Sequence, residues 1–179
     1  MKLIFSSKSS PLLGSLKVPG DKSISHRSLI ISSMAVGNST IKGLLESEDV
    51  LATVNALKLL GIKITVEKGN VWNIYGAGLS GYKEPREFLD LGNSGTGVRL
   101  LMGAISGSNI KVSFKGDESL SKRPMMRIIK PLMLMGNVFT HNREALPVTI
   151  SSPKEILSIK YKSPVASAQI KSAILLAGL

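Results

Sequence analysis

Residues 47–64 return about 75 positions later as residues 121–139, and an internal repeat of this length means that one supersecondary unit is built more than once and packed against its own copies. In the first copy Val50, Val54 and Leu57 fall at i, i+4 and i+7. In the second, Met125, Ile128, Ile129, Leu132 and Met135 keep the same helical spacing, so each copy predicts an amphipathic helix with one apolar stripe. Each helix closes at a glycine, Gly61 or Gly136, suited to a left-handed C-cap. Two strands follow in each case, 62–66 with 71–75 and 138–140 with 147–150, and their short polar links read as hairpins.

The second helix of each unit differs in kind. Residues 24–34, 98–105 and 170–179 are apolar nearly all round, a pattern that predicts burial. Short strands at 40–42 and 110–114 separate the buried from the amphipathic helix. The unit is therefore strand, buried helix, strand, amphipathic helix, strand, strand, in a mixed α/β (α+β) fold. It occurs twice in full, at 21–87 and 88–152. A third copy, 153–179, opens with a strand at 156–161 and stops inside its buried helix. Residues 1–20 read as an extended segment outside these units, with Leu12, Leu13, Leu16 and Val18 around Gly14 and with Pro11 and Pro19 as punctuation.

Each buried helix is introduced by a polar segment, at 20–27, 92–99 and 163–169. In the first, Pro19 and Gly20 break the preceding strand, and Asp21 or Ser23 can cap the helix. Lys22, Ser23 and Arg27 then sit at its start, where free backbone N–H groups and the positive dipole end favour an anion. Pseudo-threefold packing of the units would bring the three openings to one face, with Lys22, Arg27 and Arg99 around a common anion-binding floor. Ordinary capping accounts for any one such segment, whereas three at matching positions in a repeat favour a site.

Composition narrows the partner. The 179 residues carry 23 Lys plus Arg against 12 Asp plus Glu, a formal net charge of +11 that calls for nucleic acid, an anionic membrane or a small anionic substrate. Aromatic residues make up only 4%, and the basic residues are scattered without a run of five, which argues against a nucleic-acid surface. Cysteine is absent, and with it disulfides, thiolate metal sites and a Cys nucleophile. His26 and His141 are too few and too far apart for a metal site, so neither a metal nor an organic cofactor is expected. The N-terminus has no signal-peptide core and no apolar run is long enough to span a bilayer, so no membrane role is expected and a soluble protein of a reducing cytoplasm fits best. Met125, Met126, Met133 and Met135 read as core filling. Arg99, on an apolar helix, reads as a buried charge satisfied by neighbouring loops, and Glu46, Glu48 and Asp49 as acids at a helix N-terminus.

Four stretches resemble one family, in order along the chain: Val-Pro-Gly-Asp-Lys-Ser-Ile-Ser-His-Arg at 18–27, Leu-Gly-Asn-Ser-Gly-Thr-Gly-Val-Arg-Leu at 91–100, Gly-Asp-Glu-Ser-Leu at 116–120 with Lys-Arg-Pro-Met at 122–125, and Ser-Ala-Gln-Ile-Lys-Ser-Ala at 167–173. Their signatures are similar to those of the 5-enolpyruvylshikimate-3-phosphate (EPSP) synthases, enzymes more than twice this long, so the resemblance covers an N-terminal part. It implies transfer of the enolpyruvyl group from phosphoenolpyruvate (PEP) to the 5-hydroxyl of shikimate-3-phosphate, in a cleft between two similar domains. Residues 1–20 would belong with the second domain, missing here, which in the family also supplies the proton-transferring acids.

The resemblance also implies roles. Lys22 would reach both the PEP phosphate and the reacting hydroxyl. Ser23 and Arg27 would hold the shikimate ring and carboxylate, with Ser167 and the backbone at Ala168 holding its phosphate. Gly95 and Arg123 would bind PEP, Gln169 would touch both substrates, and Asn93 and Thr96 would brace the Gly95 loop. Ala168 departs from members with Ser there. The Ser-Ala-Gln-x-Lys-Ser form resembles the second of two sequence classes, while Gly95 is the PEP-permissive form. The sister transferase acting on UDP-N-acetylglucosamine is disfavoured, because its usual catalytic Cys has no counterpart in this chain. The alternative from another class is a non-catalytic anion-binding fragment, or gene remnant, of the same fold.

Overall fold

The computed structural model describes residues 4–142 and 144–179, and its elements follow the repeat. The first unit comprises α1 (Lys22–Met34), β1 (Val36–Lys42), α2 (Glu48–Leu59), β2 (Lys63–Glu67) and β3 (Val71–Ala77). The second comprises β4 (Leu89–Asp90), α3 (Gly95–Ala104), β5 (Lys111–Lys115), α4 (Glu118–Ser121), α5 (Met126–Leu134), β6 (Val138–Asn142) and β7 (Ala145–Ser151). From the third comes α6 (Ala168–Ala177). The two sheets share one strand order, β1-β3-β2 and β5-β7-β6, with β4 added in parallel beside β5. Both expected hairpins are present, Lys63 standing opposite Tyr75 in the first and Val138 opposite Ser151 in the second. Gly61 and Gly136 follow the amphipathic helices at φ 89° and 98°, a left-handed turn that costs glycine little.

The core lies where these layers meet. Leu57, Ile74, Leu89, Leu100 and Phe114 are fully buried, and α3 is the central rod, with every residue from Val98 to Ala104 buried. Its neighbours α1 and α6 pack on it, α6 so closely that Gly103 faces the backbone of Ala173.

Several expectations need correction. Residues 156–161 form no strand: they run without ladder partners, and only Ile156, Ile159 and Tyr161 rest partly against the core. Residues 4–20 likewise form no strand, and Leu12, Leu13, Leu16 and Val18 are all at least 70% exposed. Neither segment has a continuous backbone partner: in 156–161 the Leu157 N–H donates to the Met135 carbonyl at 3.0 Å, but one isolated bond makes no ladder, so no sheet forms. Burial of the apolar helices is complete only for α3. On α1, Ile24 and Ile31, and on α6, Leu175, are more than half exposed, because nothing among the described residues packs on those faces. The second amphipathic helix starts late, at Met126, since Asp117 caps the separate turn α4 and Pro124 disfavours helical geometry at the residue before it. Met125 and Met135 are core residues as expected, but Met133 is half exposed. No described helix is long and apolar enough to cross a membrane, and the described residues hold no cluster of metal-ligating side chains.

Candidate active site

Asp21, Ser94 and Ser167 precede α1, α3 and α6 at an even spacing of 73 residues, and each side chain accepts a hydrogen bond from the N–H three positions on, at Ile24 (2.8 Å), Gly97 (3.1 Å) and Ile170 (3.4 Å). The caps therefore repeat with the fold. Because Ser167 caps through its oxygen, its own proton stays free to meet an anion. Ala168 follows it, exposed, on the first turn of α6.

Below the openings, the helices meet at a buried polar junction. His26 of α1 places Nδ1 2.9 Å from Thr53 Oγ1 of α2, and the same hydroxyl would stand 2.6 Å from a Cβ on Gly97 of α3. Burial, followed by Asp49, Lys22 and Arg27 as smaller and partly opposing influences, brings the His26 pKa down to about 4. The imidazole is thus neutral near pH 7, and its Nε2 has no partner among the described residues.

Of the α1 residues, Lys22 donates from Nζ to Asp49 Oδ2 at 3.0 Å. Arg27 donates from Nη1 to the Ser23 carbonyl at 3.1 Å and from Nη2 to Ser172 Oγ at 3.0 Å, tying α1 to α6. The Ser23 side chain is exposed.

A second group surrounds the start of α3. Arg123 Nη2 donates to Asn93 Oδ1 and Nη1 to the Asn93 carbonyl at 3.5 Å, while Asn93 Nδ2 donates to Asp117 Oδ2 at 2.7 Å. The Leu120 N–H, then the Asn93 amide, hold the Asp117 carboxyl below the usual carboxylate range. From within α3, Arg99 donates from Nη1 to Gln169 Oε1 at 2.8 Å and to the Gly95 carbonyl at 3.3 Å, and from Nη2 to the Pro124 carbonyl at 3.4 Å. Gln169 Nε2 in turn donates to Thr96 Oγ1 at 3.1 Å. Arg99 is buried as expected from sequence, but neighbouring loops do not satisfy it: only the Pro124 carbonyl comes from a loop, the other two acceptors belong to α3 and α6, and its Nε has no partner among the described residues. Burial, with Arg127 and Arg123 adding repulsion, lowers its pKa.

At Gly95 the two arginines come together. A Cβ there would stand 2.9 Å from Arg123 Nη1 and 3.0 Å from Arg99 Nη1. Neither guanidinium has a carboxylate within ion-pair distance among the described residues. Two cations held only by neutral acceptors, at the positive end of α3, where the Thr96 N–H has no partner among the described residues, make a place for an anion. Asn93, Gly95, Thr96, Arg123 and Gln169 thus form one bonded network. Arg27 is bonded to Ser23 and Ser172, and Lys22 to Asp49, and neither pairing joins that network by a direct hydrogen bond. Sequence reasoning missed Asp49, Thr53, Asp117 and Ser172 as partners. Asp49 lies 27 residues from Lys22, and Ser172 lies 145 residues from Arg27, separations that carry no local signal.

Comparison with known proteins bears on this geometry. A family model described as "EPSP synthase (3-phosphoshikimate 1-carboxyvinyltransferase)" matches residues 6–179. The chain belongs to the EPSP synthase family. Among similar relatives, the 3-phosphoshikimate 1-carboxyvinyltransferase of Parvibaculum lavamentivorans is 53% identical over 173 residues, 96% of this chain and 38% of its own length. That of Rhodopseudomonas palustris is 52% identical over 174 residues, 96% of this chain and 39% of its own length. The solved EPSP synthase of Acinetobacter baumannii superposes with a TM-score of 0.87 at 46% identity, covering 93% of this chain and 38% of that one. This member therefore spans about 39% of the length of the relatives it matches. Both the family and the α/β fold expected from the motifs are shown.

Proposed function

We propose that the chain supplies the substrate floor of an EPSP synthase, transferring the enolpyruvyl group from PEP to the 5-hydroxyl of shikimate-3-phosphate in the cytoplasm, in the shikimate route to chorismate and the aromatic amino acids. The observation that carries this reading is the approach of Arg99 and Arg123 to Gly95 with no carboxylate within ion-pair distance among the described residues. In this reading Gly95, Arg123 and Gln169 bind PEP, with Asn93 and Thr96 bracing the loop. Ser23, Arg27, Ser167, Ala168 and Gln169 bind shikimate-3-phosphate, and Lys22 serves both substrates.

The 5-hydroxyl oxygen gives up its proton and bonds to C2 of PEP while the PEP methylene takes up a proton and becomes a methyl group. The same methyl group then loses a proton as the C–O bond to phosphate breaks. Lys22 and Arg123 stabilise the charge of the phosphate-bearing tetrahedral intermediate. Residues 21–179 form the substrate domain, as units 21–87, 88–152 and 153–179, and residues 1–20 belong with a second domain that carries the proton-transferring groups. Each such group typically contributes roughly 100 to 10,000-fold, so this chain alone binds anions and does not turn over.

The test is phosphate release from PEP plus shikimate-3-phosphate, with the chain alone and after adding a separately expressed second domain of a relative. Activity on mixing only is the expected result. Turnover by the chain alone would overturn the two-domain reading, and anion binding without activity in any mixture would favour the non-catalytic alternative.

A further inference from the structure

Arg99 is buried, only 6% exposed, and no acid among the described residues lies within ion-pair distance of it. A core position usually excludes such a group unless its placement does something, because an uncompensated buried cation destabilises the fold. Its Nε lacks any partner among the described residues, so even its hydrogen bonding is incomplete. What Arg99 does achieve is directional. A guanidinium can only donate, so the Gln169 atom 2.8 Å from Nη1 must be the amide oxygen. The amide nitrogen is then turned to Thr96, where it donates to Oγ1 at 3.1 Å. With that lone pair engaged, the Thr96 hydroxyl keeps its own proton for another acceptor. Thr96 adjoins Gly95, where the Arg99 and Arg123 guanidinium nitrogens converge.

We infer that Arg99 is a positioning residue for the anion floor: through Gln169 it orients the Thr96 hydroxyl as a donor toward an anion held beside Gly95. The inference rests on the anion-binding reading above and gives Arg99, which already lends its charge beside Gly95, a second role through Gln169. Lysine would be a poor substitute, since a point charge cannot span the Gln169 amide, the Gly95 carbonyl and the Pro124 carbonyl with the rigid fork that arginine offers. The relay also joins α3 to α6, so the orientation of a donor in the second unit depends on a side chain from the third.

The test is a double-mutant cycle in the whole chain with Arg99→Met, Gln169→Met and the double variant, read by amide shifts on titration with inorganic phosphate and by the side-chain NH2 resonances of Gln169. The Gln169→Met spectrum assigns that NH2 pair by its disappearance. In the wild-type chain the pair should be well dispersed and slow to exchange, and in Arg99→Met it should move to free-glutamine shifts. Arg99→Met should weaken phosphate binding roughly tenfold in the wild-type background, the size expected for losing a charge-assisted arrangement, and by a clearly smaller factor once Gln169 is Met, the remainder being the loss of its own charge. Equal losses in both backgrounds would overturn the relay and leave Arg99 as a simple source of charge. An unchanged Gln169 resonance in Arg99→Met would overturn it whether or not phosphate binds. Should Arg99→Met fail to fold, Arg99→Lys takes its place, and full retention of both readouts by Lys counts against the inference. Failure of the wild-type chain to bind phosphate near Gly95 would instead overturn the anion-binding reading, with the Gln169 resonance still deciding the orientation.

Discussion

Arg123 leans over Gly95 so closely that its Nη1 stands 2.9 Å from the point a Cβ on residue 95 would occupy. Gly95→Ala should therefore separate binding from folding. The obstructing atoms are the ends of two arginine side chains, which can swing aside, and alanine is the better helix former by about 1 kcal/mol. Thermal unfolding should show stability unchanged or slightly raised. Phosphate or PEP titration should show at least about fivefold weaker binding, because the displaced guanidiniums no longer converge. Unaltered affinity would mean that the anion does not sit at Gly95.

Gly103→Ala should do the reverse. There a Cβ would lie 2.2 Å from the Ala173 carbonyl oxygen, a backbone atom of α6 that cannot rotate away. Overpacking of this kind costs roughly 1 to 3 kcal/mol or more, so urea unfolding should show the loss directly. A variant as stable as the parent would contradict the close approach of α3 and α6.

His26 sets a pH dependence. Its ordinary pKa of 6.5 falls to about 4 in the folded chain, mainly through burial. As pH drops, the unfolded state takes up the proton first, so stability is full above about pH 6.5 and declines down to about pH 4, by roughly 2 to 3 kcal/mol. Chemical denaturation from pH 7 to 4.5 should show this slope, and His26→Gln should remove it. A slope that survives the substitution would assign the effect to other groups.

Lys22→Ala and Arg27→Ala should each cost roughly 1.5 to 3 kcal/mol of shikimate-3-phosphate binding, since the contacts proposed for both are charge-assisted. Lys68→Ala and Lys130→Ala, on exposed positions away from these networks, serve as comparisons. Equal losses at all four, erased by salt, would point to diffuse attraction from the +11 net charge and not to a built site.

Loss of the Lys22 partner should barely touch the fold. Asp49→Ala breaks an ion pair whose Lys22 side chain is 52% exposed, and such pairs contribute about 1 kcal/mol or less. Thermal unfolding should shift by no more than that, and a larger loss would show that Asp49 supports α2 through more than this contact.

Periodicity alone determined much of this protein. The stripe of Val50, Val54 and Leu57 and its echo at Ile128, Ile129 and Leu132 placed two helices, their glycine stops and their hairpins, because these depend on contacts a few residues apart. The polar openings of α1, α3 and α6 were legible for the same reason, capping being local. Tertiary structure decided the rest. Residues 156–161 carry a strand-like pattern but form no strand, since a ladder needs a neighbour that the pattern cannot supply. Ile31 and Leu175 look like core residues yet stand exposed, because burial depends on what packs against a face. The pairing of Lys22 with Asp49, of Arg27 with Ser172 and of Arg99 with Gln169 arises only once helices distant in the chain are brought side by side. Which charges face one another is a property of that packing, and no spacing along the chain encodes it.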